Sequence, residues 1–250
     1  MLPVLSIGPL SIPVPGLVVL ISIWAGLSLS ERLSSRYGVR SEDIYNLIFI
    51  ALTAGLVGAR VSFLAAVPNI FLSDPLSLFA LDLNMFDPVG GFLIAVAAAL
   101  ISGTRKDLEI LSTLDAVTPF LAAIGIGLGF SHLASGSAYG TLTDLPWGIT
   151  LWGAVRHPTQ IYEILGRTLI LAAVWPRKNI LTRLSGLTFF TFTALTAGWQ
   201  LLIAGFVADS EFILSGLRSA QVVSWQFLAG SLWVIQILFK THGREHGTPR

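Results

Sequence analysis

A chain of 250 residues in which 54% are hydrophobic and only 12% charged lies outside ordinary soluble domains, where roughly a quarter of residues carry charge. Mean hydropathy is +0.77, and apolar residues recur in runs of about 17 to 25, the length that crosses a ~30 Å hydrocarbon core; the expected fold class is all-α, a polytopic membrane protein. The net charge of +1 selects no partner, and the absence of cysteine excludes disulfides, thiolate metal sites and a cysteine nucleophile.

Hydropathy predicts seven spans, at about 12–30, 44–66, 88–103, 113–131, 159–175, 185–207 and 220–239. The first lacks a basic segment before it and a small-residue cleavage site after it, so it is expected to remain as a transmembrane helix rather than act as a removed leader. The third is short and the fourth glycine-rich. The chain reads as one integral-membrane domain, 1–240, followed by a flexible cytoplasmic tail, 241–250.

Alternate loops differ sharply in basic residues. Arg32, Arg36, Arg40, Arg105, Lys106, Arg177, Lys178, Arg183, Lys240, Arg244 and Arg250 fall on one side; only Arg156 and Arg218 fall on the other. Eleven against two supports seven spans, with the N-terminus outside and the C-terminus cytoplasmic. The outward loops are the longer ones, at 67–87 and 132–158. Within the first, the apolar piece Ile70 to Leu81 is too short to span and is expected to lie in the interface or re-enter.

Charges within the spans cost at least ~2.5 kcal/mol each near the centre, so each asks for a partner or a task. Arg60, in GLVGARVSF, sits about six residues from the outer end of the second span, roughly 9 Å deep. It has no carboxylate one turn away, so its partner must come from another helix or from a ligand, for which a lipid phosphate is a natural candidate. Glu163 precedes Arg167 by four positions, the favourable order for a helical ion pair, and Gln160 shares that face. Either Thr113 or Asp115, in STLDAVTP, is expected to cap the start of the fourth span. His132 and His157 are the histidines near the outer face; a histidine alone is more often structural than catalytic.

The stretch from Leu128 to Glu163 differs from the rest, being polar, glycine-rich and closed by RHPTQIYE. With SAYGTLTDLPWGI ahead of it, GLVGARVSF in the second span, VGGFLIAV in the third and LDAVTPFLAAIGIGLG in the fourth, the chain resembles the prolipoprotein diacylglyceryl transferase family. The resemblance implies a reaction at the outer face of the bacterial inner membrane. There the diacylglyceryl group of phosphatidylglycerol passes to the lipobox cysteine thiol of a prolipoprotein, and glycerol phosphate is released. It further implies no metal, nucleotide or other cofactor and no nucleic-acid partner. Such chemistry needs a cradle for phosphate and a base for the thiol. On this resemblance His132 is the expected base, Arg60 and Arg156 the phosphate ligands, and His157, Gln160, Tyr162 and Glu163 the groove.

Several positions depart from the family pattern. Val89 stands where a histidine usually precedes the paired glycines, Gly129 where a motif arginine is usual, and Ser137 where an acidic residue is usual. Gln200 and Ala204, in AGWQLLIAGFVAD, replace an expected arginine and glutamate, and Pro15 and Gly16 lie where a tyrosine is usual. Two readings follow: a diverged transferase that rebuilds its site from the residues above, or a transferase-like membrane protein that binds lipid or a protein partner without transfer. A transporter is the third class, but it predicts paired halves and sites near the midplane, and neither is visible in the sequence.

Overall fold

The computed structural model describes residues 4–7, 10–69, 85–176, 184–208, 212–213 and 216–246. Among these residues a short hairpin, β1 (Val4–Ile7) with β2 (Leu10–Pro13), leads directly into α1 (Val14–Leu33). Then follow α2 (Ser41–Ala66), α3 (Pro88–Arg105) and α4 (Ile110–Ser135). A second hairpin, β3 (Ile149–Leu151) with β4 (Ala154–Arg156), precedes α5 (Thr159–Ala173). The chain ends in α6 (Leu187–Ala204), a third hairpin of β5 (Phe212–Ile213) and β6 (Leu217–Arg218), and α7 (Ser219–His246).

The fold is therefore all-α with small hairpins at the helix ends. Among the described residues six helices are long and apolar enough to cross a membrane: α1, α2, α3, α4, α6 and α7. The fifth expected span is present as α5, but at 15 residues it is about 22 Å long, short of a full crossing. The expected interfacial piece at Ile70 to Leu81 lies outside the described residues, as does the end of the tail, 247–250; α7 runs to His246.

Many of the large apolar side chains on these helices point outward. Leu20, Trp24, Phe92, Leu169, Trp225 and Trp233 are all exposed, as lipid-facing residues must be once water is not the solvent. Packing between helices relies instead on small residues, which let backbones approach closely. A Cβ on Gly127 would lie 1.8 Å from Ser22 Oγ, and one on Gly91 2.7 Å from the Ala59 Cβ. These contacts pair α1 with α4 and α2 with α3; α6 likewise packs along α7, and α5 against α4.

The α2–α3 junction is pinned at the end of α2 that carries Arg60. Asp87 is the N-cap of α3, accepting from the Val89 and Gly90 amides at 3.0 and 3.1 Å, and Ser62 Oγ donates to it at 2.6 Å. Its own backbone N–H donates to the Ala59 carbonyl at 3.0 Å.

Asp115 corrects the sequence expectation. Helix α4 begins at Ile110 with Glu109 as N-cap, so Asp115 is a full turn inside it. Its carboxylate reaches across to another helix, accepting from the Gly186 and Phe189 amides at 2.7 Å each. It is 1% exposed, and it satisfies the free amides at the start of α6.

Candidate functional site

The sequence-derived residues separate into three groups. The first lies between α4 and α5. Gly136 ends α4 in a left-handed conformation, φ 76°, with its N–H on the His132 carbonyl, which leaves His132 on the last turn facing α5. His132 Nδ1 is 3.3 Å from Glu163 Oε2, and the other carboxylate oxygen is 3.9 Å from an Arg167 guanidinium nitrogen. Arg167 also donates to the Gly125 carbonyl of α4. A row of ionisable groups thus descends from the helix end into the bundle, with Glu163 buried and His132 34% exposed on its side chain.

The second group is the loop 137–143 and the block that grips it. Gln160 Nε2 donates to the Ser137 carbonyl at 2.8 Å, Thr159 Oγ1 to the Ala138 carbonyl at 2.6 Å, and Arg156 to the Gly140 carbonyl at 3.3 Å. The His157 backbone N–H donates to the Thr141 carbonyl at 3.0 Å. RHPTQ therefore works first as a brace, placing four donors on carbonyls of SAYGT. On its other edge the loop pairs with the chain beyond α6, Thr141 N–H on the Phe206 carbonyl and Ala208 N–H on the Tyr139 carbonyl.

Two atoms in this platform are buried and have no hydrogen-bond partner among the described residues: His157 Nδ1 and Gln160 Oε1. The His157 ring packs on Phe206, centroids 4.9 Å apart. The Arg156 guanidinium lies over the Tyr139 ring at 4.9 Å. Tyr162 accepts from Trp147 Nε1 at 2.8 Å.

Arg60 forms the third group. It donates to the Met85 carbonyl at 2.9 Å and its guanidinium lies 5.1 Å from the Phe86 ring centroid. No hydrogen bond or ion pair joins it to His132 or Gln160 among the described residues. The sequence placed Arg60 and Arg156 together on chemistry; the structure puts them on separate elements.

Among the described residues no group of three or more His, Cys, Asp or Glu is arranged to hold a metal ion. Further residues outside the sequence-derived set help to build the site. Ser137 meets Gln160 through its carbonyl, which no motif would reveal. Trp199 of α6 lies against Gly166 of α5, where a Cβ would meet the indole at 2.0 Å. Arg218 reaches back to the Ala204 carbonyl at 2.7 Å and to the Val207 carbonyl, closing the C-terminal end of α6.

The model of the prolipoprotein diacylglyceryl transferase family matches residues 3–237. The chain belongs to this family. It is 30% identical over 202 residues to a phosphatidylglycerol–prolipoprotein diacylglyceryl transferase of Geobacter sulfurreducens, covering 76% of each chain. Its identity to the Finegoldia magna protein of the same name is 27%, over 90% of each chain. With the Synechococcus elongatus protein of that name it is 28%, over 92% of this chain and 86% of the relative. The matched residues take in α1 to α6 and most of α7. The chain is a multi-pass membrane protein of this family.

Proposed function

We propose that this chain transfers the diacylglyceryl group of phosphatidylglycerol to the cysteine thiol of a prolipoprotein lipobox, at the outer face of the bacterial inner membrane. The observation that carries the reading is the His132–Glu163 contact within a family whose named relatives are such transferases. Glu163 holds one ring nitrogen of His132 and favours the tautomer with its proton there, leaving Nε2 as the acceptor for a thiol proton. The thiolate sulfur then attacks the glycerol carbon that bears the phosphate ester. The S–C bond forms as the C–O bond breaks, glycerol phosphate leaves with the bonding electrons, and the proton on His132 passes to it.

Arg156 is the cation we assign to the phosphate. Its Nε and one terminal nitrogen are committed to the Leu151 and Gly140 carbonyls, which fixes the guanidinium plane while leaving N–H groups for an anion. His157 Nδ1 and Gln160 Oε1 offer hydrogen-bond capacity to the hydroxyls of the head group. The reading also takes α5 as a seventh, short crossing and sets the N-terminus outside, supported by the eleven-to-two split of basic residues.

The test is complementation. Expressed in cells depleted of their own transferase, the chain is expected to restore lipid-modified lipoprotein. His132→Ala is expected to abolish that product while the protein still accumulates in the membrane. Well-expressed wild-type chain that yields no modified lipoprotein would overturn the reading, and full activity in His132→Ala would remove His132 as the base.

A further inference from the structure

The opposite end of the bundle carries a second polar feature. Helices α1 and α4 run antiparallel: Ser22 lies against Gly127, Gly26 against Phe120 and Ala123, and Ser30 Oγ accepts from the Phe120 amide at 2.9 Å. The end of α1 is therefore beside the start of α4. From the level of Phe120 to His132 is twelve residues of helix, about 18 Å. At this far end, between the last turn of α1 and the first residue of α2, lies a cleft of about 470 Å³ lined by Ser28, Glu31, Arg32, Ser35 and Ser41.

Two features of the cleft point to a ligand rather than to a fold requirement. Glu31 and Arg32 are adjacent, yet neither side chain takes part in an ion pair or hydrogen bond among the described residues. Some other charges at this end are matched, Lys106 with Asp43 at 2.6 Å and Arg40 with Glu42 at 3.3 Å, while Arg36 donates to the Pro176 carbonyl. The second feature is what lies above the cleft. One turn from Ser28 on α1 stands Trp24, 70% exposed, with Leu20, Ile21 and Leu17 continuing the row. One and two turns from Ser41 on α2 stand Tyr45 and Phe49, exposed and stacked at 6.3 Å. Residues three or four apart share a helix face, so both helices present apolar rows that end at the polar cleft.

We infer that this cleft binds a phospholipid whose head group carries a primary ammonium beside its phosphate, the phosphoethanolamine class, with its acyl chains along the Trp24 and Phe49 rows. Arg32 takes the phosphate, Glu31 takes the ammonium, and the hydroxyls of Ser28, Ser35 and Ser41 donate to the one or accept from the other. A purely anionic head group would leave Glu31 facing like charge, and a quaternary ammonium would offer it no N–H. The site is independent of the transfer reaction at the other face and stands whether or not that reading holds.

The test uses the full-length chain purified in detergent and native mass spectrometry with phosphatidylethanolamine, phosphatidylcholine and phosphatidylglycerol of matched acyl chains. Phosphatidylethanolamine is expected to bind roughly tenfold more tightly than phosphatidylcholine, the scale of one charge-assisted hydrogen bond. Glu31→Gln should remove that preference, and Arg32→Gln should weaken both lipids. Equal binding of the two lipids by the wild-type chain overturns the inference. So does a preference that survives Glu31→Gln, which places the lipid elsewhere, or Arg32-dependent binding of phosphatidylglycerol as tight as that of phosphatidylethanolamine.

Discussion

Replacing Glu163 by glutamine tests the proposed chemistry most directly, because the change keeps shape and removes only charge. The carboxylate is 3.3 Å from His132 Nδ1 and 3.9 Å from Arg167. When His132 takes a proton in the reaction, the charge developing on its ring is opposed by Glu163. Two unit charges at this separation attract by about 4 to 5 kcal/mol at an effective dielectric constant near 20. A third of the His132 side chain is open to solvent, and screening there cuts the value to about 2 kcal/mol. That corresponds to roughly thirtyfold in rate. The assay is the initial rate of diacylglyceryl transfer to a lipobox peptide at saturating phosphatidylglycerol, in detergent, with thermal stability of each variant measured alongside. Glu163→Gln is expected to lose about that factor in kcat, and Glu163→Asp, which keeps the charge, to lose less. A Glu163→Gln rate within threefold of wild type at unchanged thermal stability would refute the role given to the pair.

Two further outcomes follow from contacts away from that site. Asp115→Ala strips the acceptor from two buried amides at the start of α6. At about 1 to 3 kcal/mol for each unsatisfied group, a loss of about 2 to 6 kcal/mol is expected, read as a lowered thermal midpoint; Asp115→Asn, which keeps one acceptor, should fall between. The Asp87 carboxyl is held below the usual range by the Ser62 hydroxyl and then by the Val89 and Gly90 amides. A lowered folded value means that its contribution is present above the ordinary aspartate range and is lost as pH falls through the folded value. Amide exchange in the first turn of α3 is therefore expected to accelerate below about pH 4, and Asp87→Asn should flatten that pH dependence.

Particular residues show how much was legible in advance. Among the described residues six of the expected spans are helices long and apolar enough to cross a bilayer, where hydropathy predicted them, since the bilayer demands long apolar runs and the runs are the signal. The Glu163–Arg167 pair was equally visible, because a spacing of four fixes both on one helical face. Asp115 was not: a carboxylate near a predicted helix start reads as a local cap, and only the approach of α6 to α4 turns it toward Gly186 and Phe189. Likewise RHPTQ stood out by composition and family likeness, but its hold on the carbonyls of Ser137, Ala138 and Gly140 is a pairing over some twenty residues that no periodicity encodes.

The sequence by itself determined the class, the places of the helices and the family, for these rest on local composition and on motifs that survive in order along the chain. Only the tertiary structure decided which polar groups meet. His132 and Glu163 are thirty-one positions apart and come within 3.3 Å. The physical reason is that a contact across helices depends on rotation and depth. Both are set by small-residue packing such as Gly127 on Ser22 and Gly166 on Trp199, which a linear pattern of hydropathy does not specify.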